Sequence, residues 1–79
     1  MATATPAAWS AAEVLDAYFL ETRAKLLEIA ATLDRVDRAA DSRATSADPR
    51  LRFVQDALKI LQGDAKNRAE LIQRLYSKE

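Results

Sequence analysis

The stretch LDAYFLETRAKLLEIAATLDRV, Leu15 to Val36, decides the fold. Leu15, Phe19, Thr22, Leu26, Ile29, Leu33 and Val36 follow one another at alternating spacings of four and three, and Ala40 extends the series. That spacing keeps one side of an α-helix apolar over many turns. Neither Gly nor Pro occurs between Ala11 and Ala40, and Ala, Leu, Glu, Lys and Arg dominate; these residues lose little freedom on entering a helix. A second set, Ala17, Leu20, Ala24, Leu27 and Ala31, repeats spacings of three and four. At about 100° per residue, its centre lies roughly 150° around the helix from the first. A helix with one packed neighbour needs a single stripe about 100° wide. Two separated stripes therefore predict a helix sandwiched between two partners, one of them a second copy of the chain.

The residues outward from this stretch mark where helices start and stop. In Trp9-Ser10-Ala11-Ala12-Glu13-Val14 the Ser10 hydroxyl can accept from the Glu13 backbone N–H while the Glu13 carboxylate returns to the Ser10 N–H, and Trp9 and Val14 stand at the two positions of a hydrophobic staple. A helix is predicted from Ala11 to about Ala40, some 30 residues and roughly 45 Å. The polar run Asp41 to Ala47 has no helical period and leads into Asp48-Pro49, a cap followed by proline at the first helical position. A second helix should run from Pro49 to about Gln62, with Leu51, Val54, Leu58 and Leu61 on one stripe and Phe53, Ala57 and Ile60 beside it. Gly63 supplies a stop or kink. Asp64 is expected to cap a third segment, in which Ala65, Ala69, Ile72, Leu75 and Tyr76 carry a stripe to near Ser77.

The expected fold is all-α, without strands or internal repeats: a helical hairpin of one long helix and a return arm broken at Gly63, three helices in all, completing a helical bundle by homo-oligomerisation. The second and third segments together match the first in length, and residues 41–47 suit an antiparallel connection. A compact three-helix bundle is the alternative, for which Gly63-Asp64 is a very short reversal. Residues 1–9 are expected to form a flexible tail and residues 10–79 a single domain. The chain has 79 residues, and folded chains this short bury only about 60% of the surface they expose when unfolded. Without disulfides, association is the expected source of further stability, and a dimer is the first choice.

Composition narrows the function. With no Cys and no His, the usual nucleophile, the usual neutral-pH acid/base and the nitrogen and sulfur metal ligands are missing, so neither enzymatic activity nor a cofactor is expected. Twelve basic residues balance twelve acidic ones, so long-range attraction to nucleic acid or a membrane surface is not expected. Charges interrupt every apolar stretch well short of the roughly 18 to 20 residues that span a bilayer. Met1 to Ala8 has neither a basic start nor a run of large apolar residues, and a cytoplasmic location is the expectation.

The candidate association face is Ala17, Leu20, Arg23, Ala24, Leu27 and Ala31; Arg23 belongs to the column Asp16, Arg23, Ala30 and Asp37 that runs between the two stripes. Alanine also populates exposed helix faces through propensity alone, but so short a chain has little other core to offer. Glu21, Lys25, Glu28 and Arg35 read as the solvated face, with Glu21 and Lys25 in the favourable i,i+4 order. Inward carboxylates can hold metal pairs in bundles, yet such sites use Glu-x-x-His, and Asp34, Asp37 and Asp41 each have an Arg nearby in the sequence, so they read as paired surface charge. Ser10, Ser42, Ser46 and Ser77 sit where caps and turns use serine, Tyr18 and Tyr76 where a core has amphipathic edges, and a single glycine leaves no phosphate-cradling loop.

Arginines gather around the main turn: Arg35, Arg38, Arg43, Arg50 and Arg52. Arg50 and Arg52 fall in the first turn of the second helix, where the macrodipole disfavours cations by about 0.3 to 1 kcal/mol each. Neutralisation by Asp48 and Asp41, with Asp34 and Asp37 opposing Arg38 and Arg35, is the simple explanation. An anion bound by Arg35, Arg38, Arg50 and Arg52, as in nucleic-acid or phosphoanion binding, is the alternative. The expected function is therefore a self-associating protein-interaction or structural module without catalytic activity.

Overall fold

The computed structural model describes residues 8–77, so the expected tail over residues 1–9 lies mostly outside the described residues. Three α-helices are present, α1 (Ala11–Arg38), α2 (Pro49–Gln62) and α3 (Arg68–Ser77), with a short 3-10 turn at Ser42–Thr45 and no strand among the described residues. The chain divides into two compact units, Met1–Ala39 and Ala40–Glu79. The first is built on α1, the second on the 3-10 turn, α2 and α3.

In the first unit the capping box is formed on both sides. The Glu13 N–H donates to Ser10 Oγ at 3.1 Å and the Ser10 N–H donates to Glu13 Oε1 at 2.7 Å, satisfying two amides that the helix itself leaves without acceptors. At its other end α1 stops two residues before the predicted Ala40. Ala39 turns extended, with φ −64° and ψ 146°, and its N–H donates to the Val36 carbonyl at 3.3 Å. Arg35 and Arg38 stand in the last turn, at the negative end of the macrodipole. No residue of α1 is buried, and only Val14, Ala31, Leu33 and Val36 are half-buried.

In the second unit the connection predicted to be aperiodic is a tight turn. Ala44 N–H donates to Asp41 O at 2.8 Å, Asp48 N–H to Thr45 O at 2.9 Å, and the Thr45 hydroxyl to Ser42 O at 2.7 Å. Local bonding by Ser, Thr and Asp competes with α-helix here, which explains a polar run closing on itself. Helix α2 begins and ends where predicted. Its half-buried face carries Leu51, Phe53, Val54, Leu58 and Ile60, and that of α3 carries Leu71, Ile72 and Leu75. The Phe53 and Tyr76 rings meet edge to face, with centroids 5.9 Å apart and planes at 71°, an arrangement favoured by the ring quadrupoles.

The break between α2 and α3 departs from expectation in two respects. Asp64 does not cap the third helix: α3 starts at Arg68, where the Asn67 carbonyl accepts from the Leu71 N–H at 3.1 Å and the Asn67 side-chain amide donates to Glu70 Oε1 at 3.3 Å. Across the intervening loop the Arg68 guanidinium donates to the Gly63 carbonyl at 2.6 Å, and Asn67 supplies the capping contacts that Asp64 was expected to make. Gly63 does end α2, but in extended backbone, with φ −79° and ψ −177°, and so without the left-handed conformation that usually selects glycine at a helix end. A Cβ there would meet only Ile60 O at 3.5 Å and Lys59 O at 3.8 Å, ordinary contact distances. Gly63→Ala is therefore expected to leave the fold intact and to raise stability by about 0.4 to 1 kcal/mol, because alanine has less freedom to lose from the unfolded chain. Thermal melts of the two proteins check this; a lowered midpoint would show that the glycine is needed for its flexibility.

Candidate functional site

The Ala/Leu face of α1 is the leading candidate. Ala17, Leu20, Ala24, Leu27 and Ala31 fall on one side of a continuous 28-residue helix, which the capping box starts in register. Leu20 is 78% exposed and Leu27 54%, against an expectation that such side chains are buried. Ala17, Arg23 and Ala24 are exposed as well, and Ala31 is half-buried. The six residues thus stand together as a strip. Charges line its edges: Glu21 receives the Lys25 ammonium at 3.1 Å, while Arg23, Arg35 and Asp37 enter no ion pair among the described residues. The first stripe is open too, with Leu15 63% and Phe19 55% exposed.

The turn arginines are arranged differently. Arg50 donates to the Asp48 carboxylate through Nε at 3.1 Å and through a terminal nitrogen at 2.8 Å, and its backbone N–H donates to the same carboxylate at 2.8 Å. Arg52, two residues on, points about 200° away around the helix and pairs with Asp56 at 3.7 Å. The two are not brought together. Asp48 acts as the neutraliser expected of it. Asp56 was legible only as a carboxylate four residues after Arg52, the spacing already applied to Glu21 and Lys25. Arg35 and Arg38 belong to the last turn of α1.

The side-chain hydrogen bonds from Arg50, the capped backbone N–H and the Arg50 charge hold the Asp48 carboxyl at about 2, below its ordinary 3.8; the same contact raises Arg50. The sign follows from linkage. A lowered carboxyl stabilises the fold above its unfolded value and loses that contribution as pH falls towards about 2. Asp48→Asn keeps an oxygen to cap α2 but has no charge to lose. Helicity at 222 nm is expected to be lower for Asp48→Asn than for the parent above about pH 4, with the gap closing as pH falls to 2. A gap unchanged by pH would assign the effect of Asp48 to capping alone.

Sequence reading missed one feature of the second unit, an open groove of about 630 Å³ lined by Asp48, Pro49, Arg50, Phe53, Val54 and Tyr76. Its floor is apolar because Phe53 and Val54 in the first turns of α2 face Tyr76 near the end of α3. The only signal for it was the position of two aromatics at opposite ends of the return arm. Among the described residues, no cluster of three or more His, Cys, Asp or Glu stands where it could hold a metal ion. Likewise no helix is long and apolar enough to cross a membrane. Comparison with protein-family models, with curated proteins and with solved structures finds no match.

Proposed function

We propose that the chain is a self-associating helical module that works by binding and not by catalysis, with α1 as its joining element. The Ala/Leu stripe of α1 takes a second copy, so that a bundle is complete only in the assembly. One observation carries this reading: Leu20 and Leu27 lie 78% and 54% exposed on a helix that buries no residue of its own. Leaving large apolar side chains in water forgoes about 1.5 to 3 kcal/mol each relative to burial, and a short chain has few other sources of stability. The alanines beside them, Ala17, Ala24 and Ala31, allow a second backbone to come close. The mass in solution tests the reading. Light scattering at micromolar concentration is expected to give twice 8.7 kDa; a cooperatively folded species of 8.7 kDa at all such concentrations would overturn it.

A further inference from the structure

The first stripe of α1 is most open along its N-terminal part. Leu15, Phe19 and Leu26 are 63%, 55% and 54% exposed, whereas Leu33 and Val36 further along are half-buried. Two charges flank the open part on one edge, Asp16 and Arg23, and both lack partners for a reason visible in their spacing. Asp16 has Ala12 and Glu13 one turn before it and Phe19 and Leu20 one turn after; Arg23 has Phe19 and Leu20 before it and Leu26 and Leu27 after. Neither meets an opposite charge at the spacings of three or four that join side chains along a helix, and neither enters an ion pair among the described residues.

We propose that this part of the stripe is a second self-contact, in which α1 lies antiparallel to α1 of another copy with Leu15 against the partner's Leu26 and Phe19 against the partner's Thr22. It uses a different side of α1 from the Ala/Leu face, goes beyond the reading above and does not rest on it. With the two-fold axis level with Leu20 and Glu21, Ala12 faces the partner's Ile29, so each open residue of the stripe is covered by an uncharged one. Asp16 then stands against the partner's Arg23, twice over by symmetry, which gives both unpaired charges a partner. On the other edge Tyr18 meets the partner's Lys25, a cation beside an aromatic ring. The remaining flanking positions, Ala11, Ala30 and Thr32, carry no charge.

Charge disfavours the other arrangements that cover Leu15, Phe19 and Leu26. Sliding by one heptad, so that the ends of α1 are nearly flush, sets Arg23 against the partner's Arg23 and Lys25 against the partner's Lys25. A further heptad sets Asp16 against the partner's Asp37 and leaves Leu15 opposite the partner's Ala40, beyond the end of the helix. A parallel pair in register brings no like charges together at the flanks, but it places Asp16 beside the partner's Ala11, forms no ion pair, and aligns two macrodipoles that an antiparallel pair opposes. Flanking charges of this kind set orientation and register in paired helices. The register they choose is centred midway between Leu15 and Leu26, on the part of the stripe that exposure alone marks as open.

The chain has no cysteine, so Leu15→Cys and Leu26→Cys each carry one thiol per copy. Oxidation of an equal mixture of the two, at about a few hundred micromolar, is expected to give a disulfide-linked pair. Neither variant alone should link, because like positions then lie about 16 Å apart along the helices and a disulfide needs Cα atoms within about 7 Å. Linkage of either variant alone would place the copies parallel or in another register and overturn the proposal, as would a mixture that does not link. The same mixture carrying Leu20→Glu and Leu27→Glu should still link, which separates this contact from the Ala/Leu one. With both contacts present, the parent at that concentration is expected to reach four times 8.7 kDa. A mass of two copies with linkage would overturn the Ala/Leu reading and leave this contact standing; a mass of two copies without linkage would do the reverse. Charge reversal gives a second measure. Arg23→Asp is expected to weaken the contact about tenfold, and Asp16→Arg with Arg23→Asp to recover most of that loss. A double variant as weak as the single one would show that these residues do not face each other.

Discussion

The double variant Leu20→Glu with Leu27→Glu is expected to convert the assembly into a smaller species at concentrations where the parent remains associated. Four carboxylates per dimer would enter a contact from which water is excluded, and each unpaired charge there costs several kcal/mol, more than a dimer of this size gains from the leucines it loses. The helix itself should survive: glutamate is a good helix former, and the capping box at Ser10 and Glu13 lies a turn or more away. Sedimentation velocity should therefore show a loss of mass while the far-ultraviolet dichroism stays largely helical. A variant that keeps the parent mass would show the Ala/Leu strip to be a plain helix surface. One that loses both mass and helicity would show that the strip holds the fold of the chain itself.

Phe53→Ala is expected to have the largest effect within the second unit. Phe53 is half-buried and its ring meets Tyr76 edge to face at 5.9 Å. Truncating a fully buried Phe costs about 3 to 5 kcal/mol, so a half-buried one that also gives up an aromatic pair of about 1 kcal/mol should cost about 2 to 3 kcal/mol. In a unit of two short helices without a fully buried side chain, that loss is a large share of what holds α2 to α3. Chemical denaturation is expected to show a lower midpoint, with Phe53→Leu between the parent and the alanine variant. Tyr76→Phe, which keeps the ring, should be close to the parent; an equal loss there would mean that the hydroxyl and not the ring pair matters.

Local signals were enough to place most of the helical architecture. Ser10 with Glu13, Asp48 with Pro49 and the uninterrupted run from Ala11 mark helix starts through groups three residues apart or fewer, so their outcome depends little on the rest of the molecule. The misplaced start of α3 shows where this stops. Asp64 and Asn67 are both acceptable caps by type, Asn67-x-x-Glu70 repeats the spacing of Ser10-x-x-Glu13, and in the structure the helix starts after Asn67, with Arg68 donating to the Gly63 carbonyl across the loop. Gly63 was read correctly as a stop, and only the backbone angles show that no left-handed turn is involved.

What the sequence by itself determined is the all-helical class, the two-stripe α1 and the list of charges along it, because periodicity and capping are properties of consecutive residues. The acceptors of Arg50 and Arg52 also lie close in sequence, within α2 and its cap. Arg50 turns back to Asp48 and Arg52 forward to Asp56, which separates two cations that stand two residues apart in the chain. Only the tertiary structure brings Phe53 and Tyr76 together across 22 intervening residues to form the groove. Ring contact depends on the distance between elements, and that distance is set by how α2 and α3 pack and not by the order of residues within either helix.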